Sequence, residues 1–354
     1  MKYSTVVVAL LIAFVLGLAL ACNNSEESND SIESKEVFWY LGNTTVYANI
    51  TAPTGNGPHP AVLFIAGSGP TDRDWNSPLL QGTNGSGKLL AKKLVSEGYV
   101  TLRYDKRFTG EHASDNLPYL IGNISMQSHL NEVISAVDYL VGQPDIDASN
   151  IFVLTNSEGA IHALNYQLQS QDNRFAGMIL TGIPGRSIME LAESQIAALL
   201  DGYENKDELM ALYNESVADF MAGRPVAPDP ALPADIEWFL RGLDNEVNLP
   251  FSRELWSYDT TEKLKHIPEP MLVMIGKKDL QVDWEIDGAR LQEAVLPEQD
   301  VTFMYPDNAN HVLKYEEKPR DELNPAVDGA TYNLVDRVLD TDSVNAILEW
   351  LLLH

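Results

Sequence analysis

Six short apolar runs dominate the chain from residue 60 onwards, and they constrain its fold more than any other feature. They are Pro60 to Ala66, Tyr99 to Tyr104, the run from Ile151, Met178 to Thr181, Met271 to Ile275 and Val301 to Tyr305. Each is too short for a helix and too continuously apolar for a strand with one wet face, so each reads as a strand buried on both sides. Between the first two, Leu89, Leu90, Leu94 and Val95 recur at helical spacing as far as Gly98. Leu130, Val133, Ile134, Val137 and Val141 form a second helical stripe before Ile151. Strands alternating with amphipathic helices imply an α/β fold, a mostly parallel sheet covered by helices on both faces. Upstream, Val37 to Tyr40 and Thr45 to Thr51 read as an antiparallel strand pair turned at Gly42-Asn43.

The alternation stops after Thr181. Ser187-Ile-Met-Glu190 has the form of a capping box, in which side chain and backbone satisfy each other's free groups, and it opens a helix-rich stretch to about Leu255. The passage Arg224-Pro-Val-Ala-Pro-Asp-Pro interrupts it once. A helical cap over about 187–256, inserted between the sixth and seventh strands, is therefore expected. The last helix, carrying Val344, Ile347, Leu348 and Leu351, is expected to be capped by Asp342-Ser343.

The N-terminus belongs to no core. Met1-Lys2-Tyr3 precedes an apolar run from Val6 to Ala21, a basic start and short apolar stretch of the kind that directs export. Leu18-Ala-Leu-Ala-Cys22 resembles a bacterial lipobox and contains the sole cysteine, which marks residues 1–21 as a lipoprotein signal peptide and Cys22 as the lipidated residue. That implies an exported protein anchored to the cell envelope, with the membrane as a partner through the lipid. Sixteen apolar residues are few for a span that stays in the bilayer. Residues 22–35, rich in Asn, Ser and Glu, read as a flexible tether, and 36–354 as the folded domain. The formal net charge of −27 argues against nucleic acid, whose phosphates require basic patches.

Three strand ends carry residues able to act together. Ser157 follows the strand from Ile151 and precedes the helical run Ala160, Ala163, Leu164. Asp279 follows Met271 to Ile275 and the loop Gly276-Lys-Lys, and His311 follows the last core run and the loop Pro306-Asp-Asn-Ala-Asn. A serine hydroxyl becomes nucleophilic beside a histidine base, and a carboxylate fixes the tautomer of that base. Asp283 is the rival acid. Thr181-Gly-Ile-Pro holds no carboxylate, and the other six histidines lie outside loops of this kind. Acyl transfer also requires two amide N–H groups facing the developing oxyanion. Glu158, next to the serine, supplies one, and Ser68, between two glycines in the loop Gly67-Ser-Gly-Pro, supplies the other.

These residues resemble the α/β-hydrolase family, and within it the serine esterases with a G-S-G-P-x-D-R-D loop and an S-E-G elbow. The motifs are Ala66-Gly-Ser-Gly-Pro-Thr-Asp-Arg-Asp74, Arg103-Tyr-Asp-Lys-Arg107, Ser157-Glu-Gly159, Gly276-Lys-Lys-Asp-Leu-Gln-Val282 and Asn310-His311. Nucleophile, acid, histidine is also the chain order of that family. The resemblance implies a hydrolase of short acyl or aryl esters acting on a small molecule, without metal or organic cofactor. It extends to prolyl-oligopeptidase-type peptidases, the second reading; a catalytically inactive binding lipoprotein is the third. The departure from pattern is Thr155, where G-x-S-x-G has its first glycine. Gly82-Thr-Asn-Gly-Ser-Gly-Lys88-Leu89 approaches a phosphate-binding loop but ends in leucine, without the hydroxyl that would ligate magnesium. The insertion's Met189, Met210, Phe220, Met221, Trp238 and Phe239 are expected mostly in a core, with some lining the acyl pocket.

Overall fold

The computed structural model describes residues 34–354 apart from Gln171 and Ala326. Residues 1–33, which include the expected signal peptide, Cys22 and most of the expected tether, lie outside the described residues. Eight strands form one sheet in the order β1-β2-β4-β3-β5-β6-β7-β8. They are β1 (Ser34–Leu41), β2 (Thr44–Thr51), β3 (His59–Ile65), β4 (Val100–Tyr104), β5 (Ile146–Asn156), β6 (Gly177–Thr181), β7 (Met271–Met274) and β8 (Val301–Met304). The strands from β4 through β8 pair in parallel, and the hairpin β1–β2 adds on antiparallel through β2 to β4. Ser34 and Lys35 pair with Thr51 and Ile50, so the tether expected over 22–35 gives up its last two residues to the sheet.

The period of two along each central strand sorts its side chains between two cores. Ala61, Leu63 and Ile65 of β3 face one, with Ile151 and Val153 of β5. Val62, Phe64, Phe152 and Leu154 face the other. Helices α1 (Ser86–Ser96), α2 (Ala113–Leu120), α3 (Met126–Val141) and α4 (Glu158–Gln169) follow β3, β4 and β5. Leu130, Val133, Val137 and Leu140 of α3 and Ala160, Ala163 and Leu164 of α4 cover the first face. Leu90 and Leu94 of α1 cover the second, with Ile347, Trp350 and Leu351 of the final helix. Both faces are therefore dry, which is why the strands read as unbroken apolar runs.

Between β6 and β7 the chain runs through α5 (Ile188–Leu199), α6 (Lys206–Met221), α7 (Ala234–Leu243), α8 (Phe251–Trp256) and α9 (Thr260–Leu264). The Ser187/Glu190 capping box forms in both directions. These helices have a third core of their own: Leu191, Ile196, Tyr213, Phe220, Phe239 and Trp256 pack together with Phe108 and Ile161 of the main domain. After β7 come α10 (Ile286–Ala294), then β8, and finally α11 (Thr341–Leu353). Asp340, not Asp342, caps α11, accepting from the Ser343 N–H at 2.9 Å. The cap sits two residues earlier than expected because Asp342 already belongs to the first turn.

Residues 315–340 carry no apolar periodicity and fold irregularly, with short turns at Arg320–Glu322 and Gly329–Thr331. Polar contacts to distant backbone hold this segment. Asn84 Nδ2 donates to the carbonyls of Leu334 and Arg337, and buried Lys314 Nζ donates to those of Asn84 (2.5 Å), Tyr332 and Arg337 (both 3.3 Å). Burial first, then the nearby Arg337 cation, pushes the Lys314 ammonium down to about 8.

Candidate active site

The loops at the carboxyl ends of β3, β5, β7 and β8 converge, the place where open α/β sheets build their clefts. Ser157 stands between β5 and α4 with φ 53° and ψ −122°. A non-glycine residue with positive φ is strained, and a strained turn held by its surroundings is how a side chain is pushed out of a strand–helix junction. The Ser157 N–H donates to the Thr181 carbonyl at 2.8 Å, and its own carbonyl accepts from Ala160 N–H at 2.9 Å. Its hydroxyl does not cap α4, although serine at a helix start ordinarily does. The side chain instead lines a cavity of about 50 Å³ shared with Gly67, Ser68, Trp75, Asn156, His311 and Tyr332.

Two glycines and one threonine make this turn possible. A Cβ on Gly159 would lie 2.4 Å from the Ile65 carbonyl oxygen, so helix α4 starts hard against the end of β3. A Cβ on Gly67 would lie 3.3 Å from Ser157 Cβ. Thr155 is fully buried, pairs with Ile65 and Leu180 in the sheet, and donates its hydroxyl to the Ile179 carbonyl at 3.2 Å. The last position of the motif, Gly159, therefore needs glycine, whereas the first accommodates a β-branched residue as a satisfied strand residue.

Asp279 is fully buried. One oxygen accepts from the N–H groups of Gln281 (2.7 Å) and Val282 (2.9 Å); the other meets His311 Nδ1 at 2.8 Å. An Nδ1–H donated to a carboxylate leaves Nε2 as the free base. Asp283 is elsewhere engaged: it accepts from the Glu285 and Ile286 N–H groups just ahead of and at the start of α10 and pairs with Arg320 at 3.0 Å. Arg320 also donates to the Asp279 carbonyl. Asn156 Nδ2 reaches the His311 carbonyl at 2.9 Å, tying the serine strand to the histidine loop. Gly182, at φ 58°, leaves the imidazole its room: a Cβ there would lie 3.0 Å from His311 Cε1. Ser157 and His311 face one cavity but share no hydrogen bond; such contacts commonly tighten only around substrate.

Ser68 lines the same cavity as Ser157 from the loop after β3, and Glu158 follows the serine as the first residue of α4. The first four N–H groups of a helix have no partner within it, so the Glu158 amide at the start of α4 is open to a ligand. The Ser68 carbonyl accepts from the Thr71 hydroxyl at 2.7 Å, which shapes the loop.

Beneath the turn lies a buried chain of charge that sequence reading missed. Lys106 contacts Glu158 at 3.3 Å, Glu158 contacts His162 at 3.1 Å, and the His162 and His129 rings lie 4.4 Å apart. His129 in turn contacts Glu132 at 3.1 Å, and Arg107 closes the chain at 2.8 Å. Burial pushes Glu158 up, but the Lys106 charge and the hydrogen bond from His162 outweigh it and hold the carboxyl at about 2. Burial, then the neighbouring His129, drives His162 down to about 4. A lysine two residues past a buried strand, in Arg103-Tyr-Asp-Lys-Arg107, was the available signal. Asp105 in the same motif binds the Arg73 amide at 2.6 Å and its guanidinium at 2.8 Å; burial outweighs that pairing and pushes it up to about 6.

The cavity lining departs from expectation. Of the insertion's residues, Phe220 and Phe239 are buried in the third core, Met210 and Met221 pack against it, and Met189 and Trp238 are exposed. None lines the cavity; Ser77, Leu80, Tyr332 and Asn333 do, from the loop before α1 and the irregular segment after His311. Among the described residues, one group with metal-ligand spacing occurs, Glu36, Glu111 and His112, and its two carboxylates are exposed.

The sequence pattern of the alpha/beta hydrolase family matches residues 62–326. The chain belongs to that family. Esterase EstD of Thermotoga maritima is 26% identical over 267 residues, which cover 75% of this chain and 57% of that one, so the chain spans little more than half of that relative. Among solved structures, the chain resembles Est1E from Butyrivibrio proteoclasticus, solved with ferulic acid, with a TM-score of 0.52 and 13% identity. That match covers 90% of this chain and 100% of the other. The acylaminoacyl peptidase of Pyrococcus horikoshii matches at TM-score 0.52 and 11% identity, over 91% and 41% of the two chains. Proline iminopeptidase of Mycobacterium smegmatis matches at 0.51 and 16%, over 91% and 98%. At such identities the likeness is one of fold.

Proposed function

We propose that this alpha/beta hydrolase cleaves small carboxylic esters through an acyl-enzyme on Ser157. The observation that carries the reading is the Asp279–His311 contact of 2.8 Å in a loop whose histidine shares a cavity with a strained, uncapped serine. Ser157 Oγ attacks the acyl carbonyl while His311 Nε2 takes its proton, and Asp279 holds the Nδ1–H and stabilises the imidazolium. The Ser68 and Glu158 N–H groups receive the oxyanion. His311 returns its proton to the departing alkoxide, and water, deprotonated by the same imidazole, then releases the acid. The kinship with EstD supports ester over amide, and a cavity of about 50 Å³ supports a short acyl group.

Turnover of nitrophenyl esters of increasing acyl length tests this. Acetyl and propionyl esters are expected to be the best substrates, with no activity in Ser157→Ala; full turnover by that variant refutes the reading. A peptide panel cleaved faster than the esters would favour the peptidase alternative. Against the inactive-protein alternative speaks the setting of Thr155, a buried strand residue whose hydroxyl is satisfied by the Ile179 carbonyl. We further propose that Cys22 carries a lipid anchor. Cys22→Ser should then move the protein from the membrane to the soluble fraction, and a wild type already soluble would refute it.

A further inference from the structure

Lys106 is a lysine with no contact to solvent, placed just beyond the end of β4, and the reaction described above gives its side chain no role. Its ammonium makes two polar contacts. It donates to the Gly67 carbonyl at 2.6 Å and meets Glu158 Oε1 at 3.3 Å. Both partners belong to the proposed oxyanion site. The Gly67 carbonyl and the Ser68 N–H are the two ends of one trans peptide, so they point in opposite directions. A cation fixed on the oxygen therefore fixes the direction of the N–H and polarises it as a donor. Glu158 is the residue whose own N–H is the second donor, and its carboxylate is further held by His162 Nε2 at 3.1 Å.

We propose that Lys106 is a positioning residue for the oxyanion site, a buried clamp that sets the spacing and strengthens the donation of the Ser68 and Glu158 amides. The inference rests on the acyl-transfer reading of Ser157. Two steric observations keep the clamp's partners close together: Gly67 packs against Ser157, and Gly159 packs against the end of β3, so the two donor segments lie side by side. The oxyanion exists only in the transition state and the tetrahedral intermediate. Loss of the clamp should therefore appear in kcat and leave KM nearly unchanged.

Removing Lys106 alone would leave Glu158 as an unpaired buried charge and endanger folding, so the test uses Lys106→Met/Glu158→Gln, which neutralises both partners at similar volume. Replacing a buried ion pair in this way is often neutral for stability. The double variant keeps both backbone amides and Ser157. On nitrophenyl acetate it should lose roughly 10²-fold in kcat, the order seen when one oxyanion donor is removed, with KM within about twofold. Its affinity for a trifluoromethyl ketone, which forms a tetrahedral adduct, should fall in parallel, while binding of the matching methyl ketone should not. Wild-type kcat and ketone affinity in a folded double variant would overturn the proposal. So would a rise in KM or an equal loss of both ketones, which would make Lys106 a merely structural residue. If Ser157→Ala also retained activity, the acyl-transfer reading itself would fall; if Ser157→Ala is dead, only the role of Lys106 is at stake.

Discussion

Gly159→Ala places a methyl group where the structure has none to spare. The new Cβ would lie 2.4 Å from the Ile65 carbonyl oxygen and 2.9 Å from that of Ala66, backbone atoms at and just past the end of a central strand. No side-chain rotation relieves either contact, so the start of α4 must move outward by about 0.6 Å merely to reach 3.0 Å from Ile65. Forcing one methyl into a packed site costs about 1–3 kcal/mol, which at this chain length corresponds to a Tm lower by roughly 1–5 °C. The displaced element carries Ser157 and the Glu158 N–H and moves them away from Ser68. A shift approaching 1 Å in a reacting geometry can cost on the order of 10²-fold in rate. Differential scanning calorimetry and nitrophenyl acetate kinetics on the same preparation measure both effects. Unchanged Tm and unchanged kcat would refute the reasoning, because they would mean that the junction between β3 and α4 has slack.

Four further outcomes follow from the same geometry. Asp279→Asn should lose on the order of 10³–10⁴-fold in kcat with folding intact, whereas Asp283→Asn should lower Tm and leave kcat within about twofold, since Asp283 contacts Arg320 rather than His311. Thr155→Gly, which restores the common motif, should not raise kcat and should destabilise by about 1–2 kcal/mol in urea unfolding, because a buried strand residue and its hydrogen bond are lost. Tyr332→Ala should extend activity to longer acyl chains, and Trp238→Ala should not, because Tyr332 lines the cavity and Trp238 is exposed. Burial raises Glu158 and Glu132, but Lys106 with His162, and His129 with Arg107, hold both near 2 against an ordinary 4.5. Their folded values lie below the unfolded ones, so this stability is complete above about pH 4.5 and lost as pH falls toward 2. Urea midpoints measured across that window should fall, and Glu132→Gln should flatten the fall.

Ser157, Asp279 and His311 were legible because each follows a short apolar run and a few turn residues, and because the strand–turn–helix context of Ser157 is written within ten residues. The insertion was legible from a capping box and a change of period. The lining of the cavity was not. Tyr332 and Asn333 reach it from a segment without periodicity, placed by Lys314 and Asn84 bonding to backbone carbonyls, and backbone acceptors leave no trace in side-chain pattern. The insertion's aromatic and methionine residues misled for the opposite reason. A helical stripe records that a face is covered but not what covers it, and here the cap helices largely cover one another. The charge chain from Lys106 to Arg107 draws on the end of β4, α3 and α4, so only the folded sheet makes it one object. Thr155 mattered less than its motif position suggested, because the tight approach lies at Gly159.

The most direct test of the central claim is to quench the reaction with nitrophenyl acetate in acid within the first turnover and to map the protein by mass spectrometry. The account predicts one acetyl group, carried on Ser157, absent from Ser157→Ala and more persistent in Asp279→Asn. Ester turnover with no acylated serine, or with the acetyl group on another residue, would contradict it.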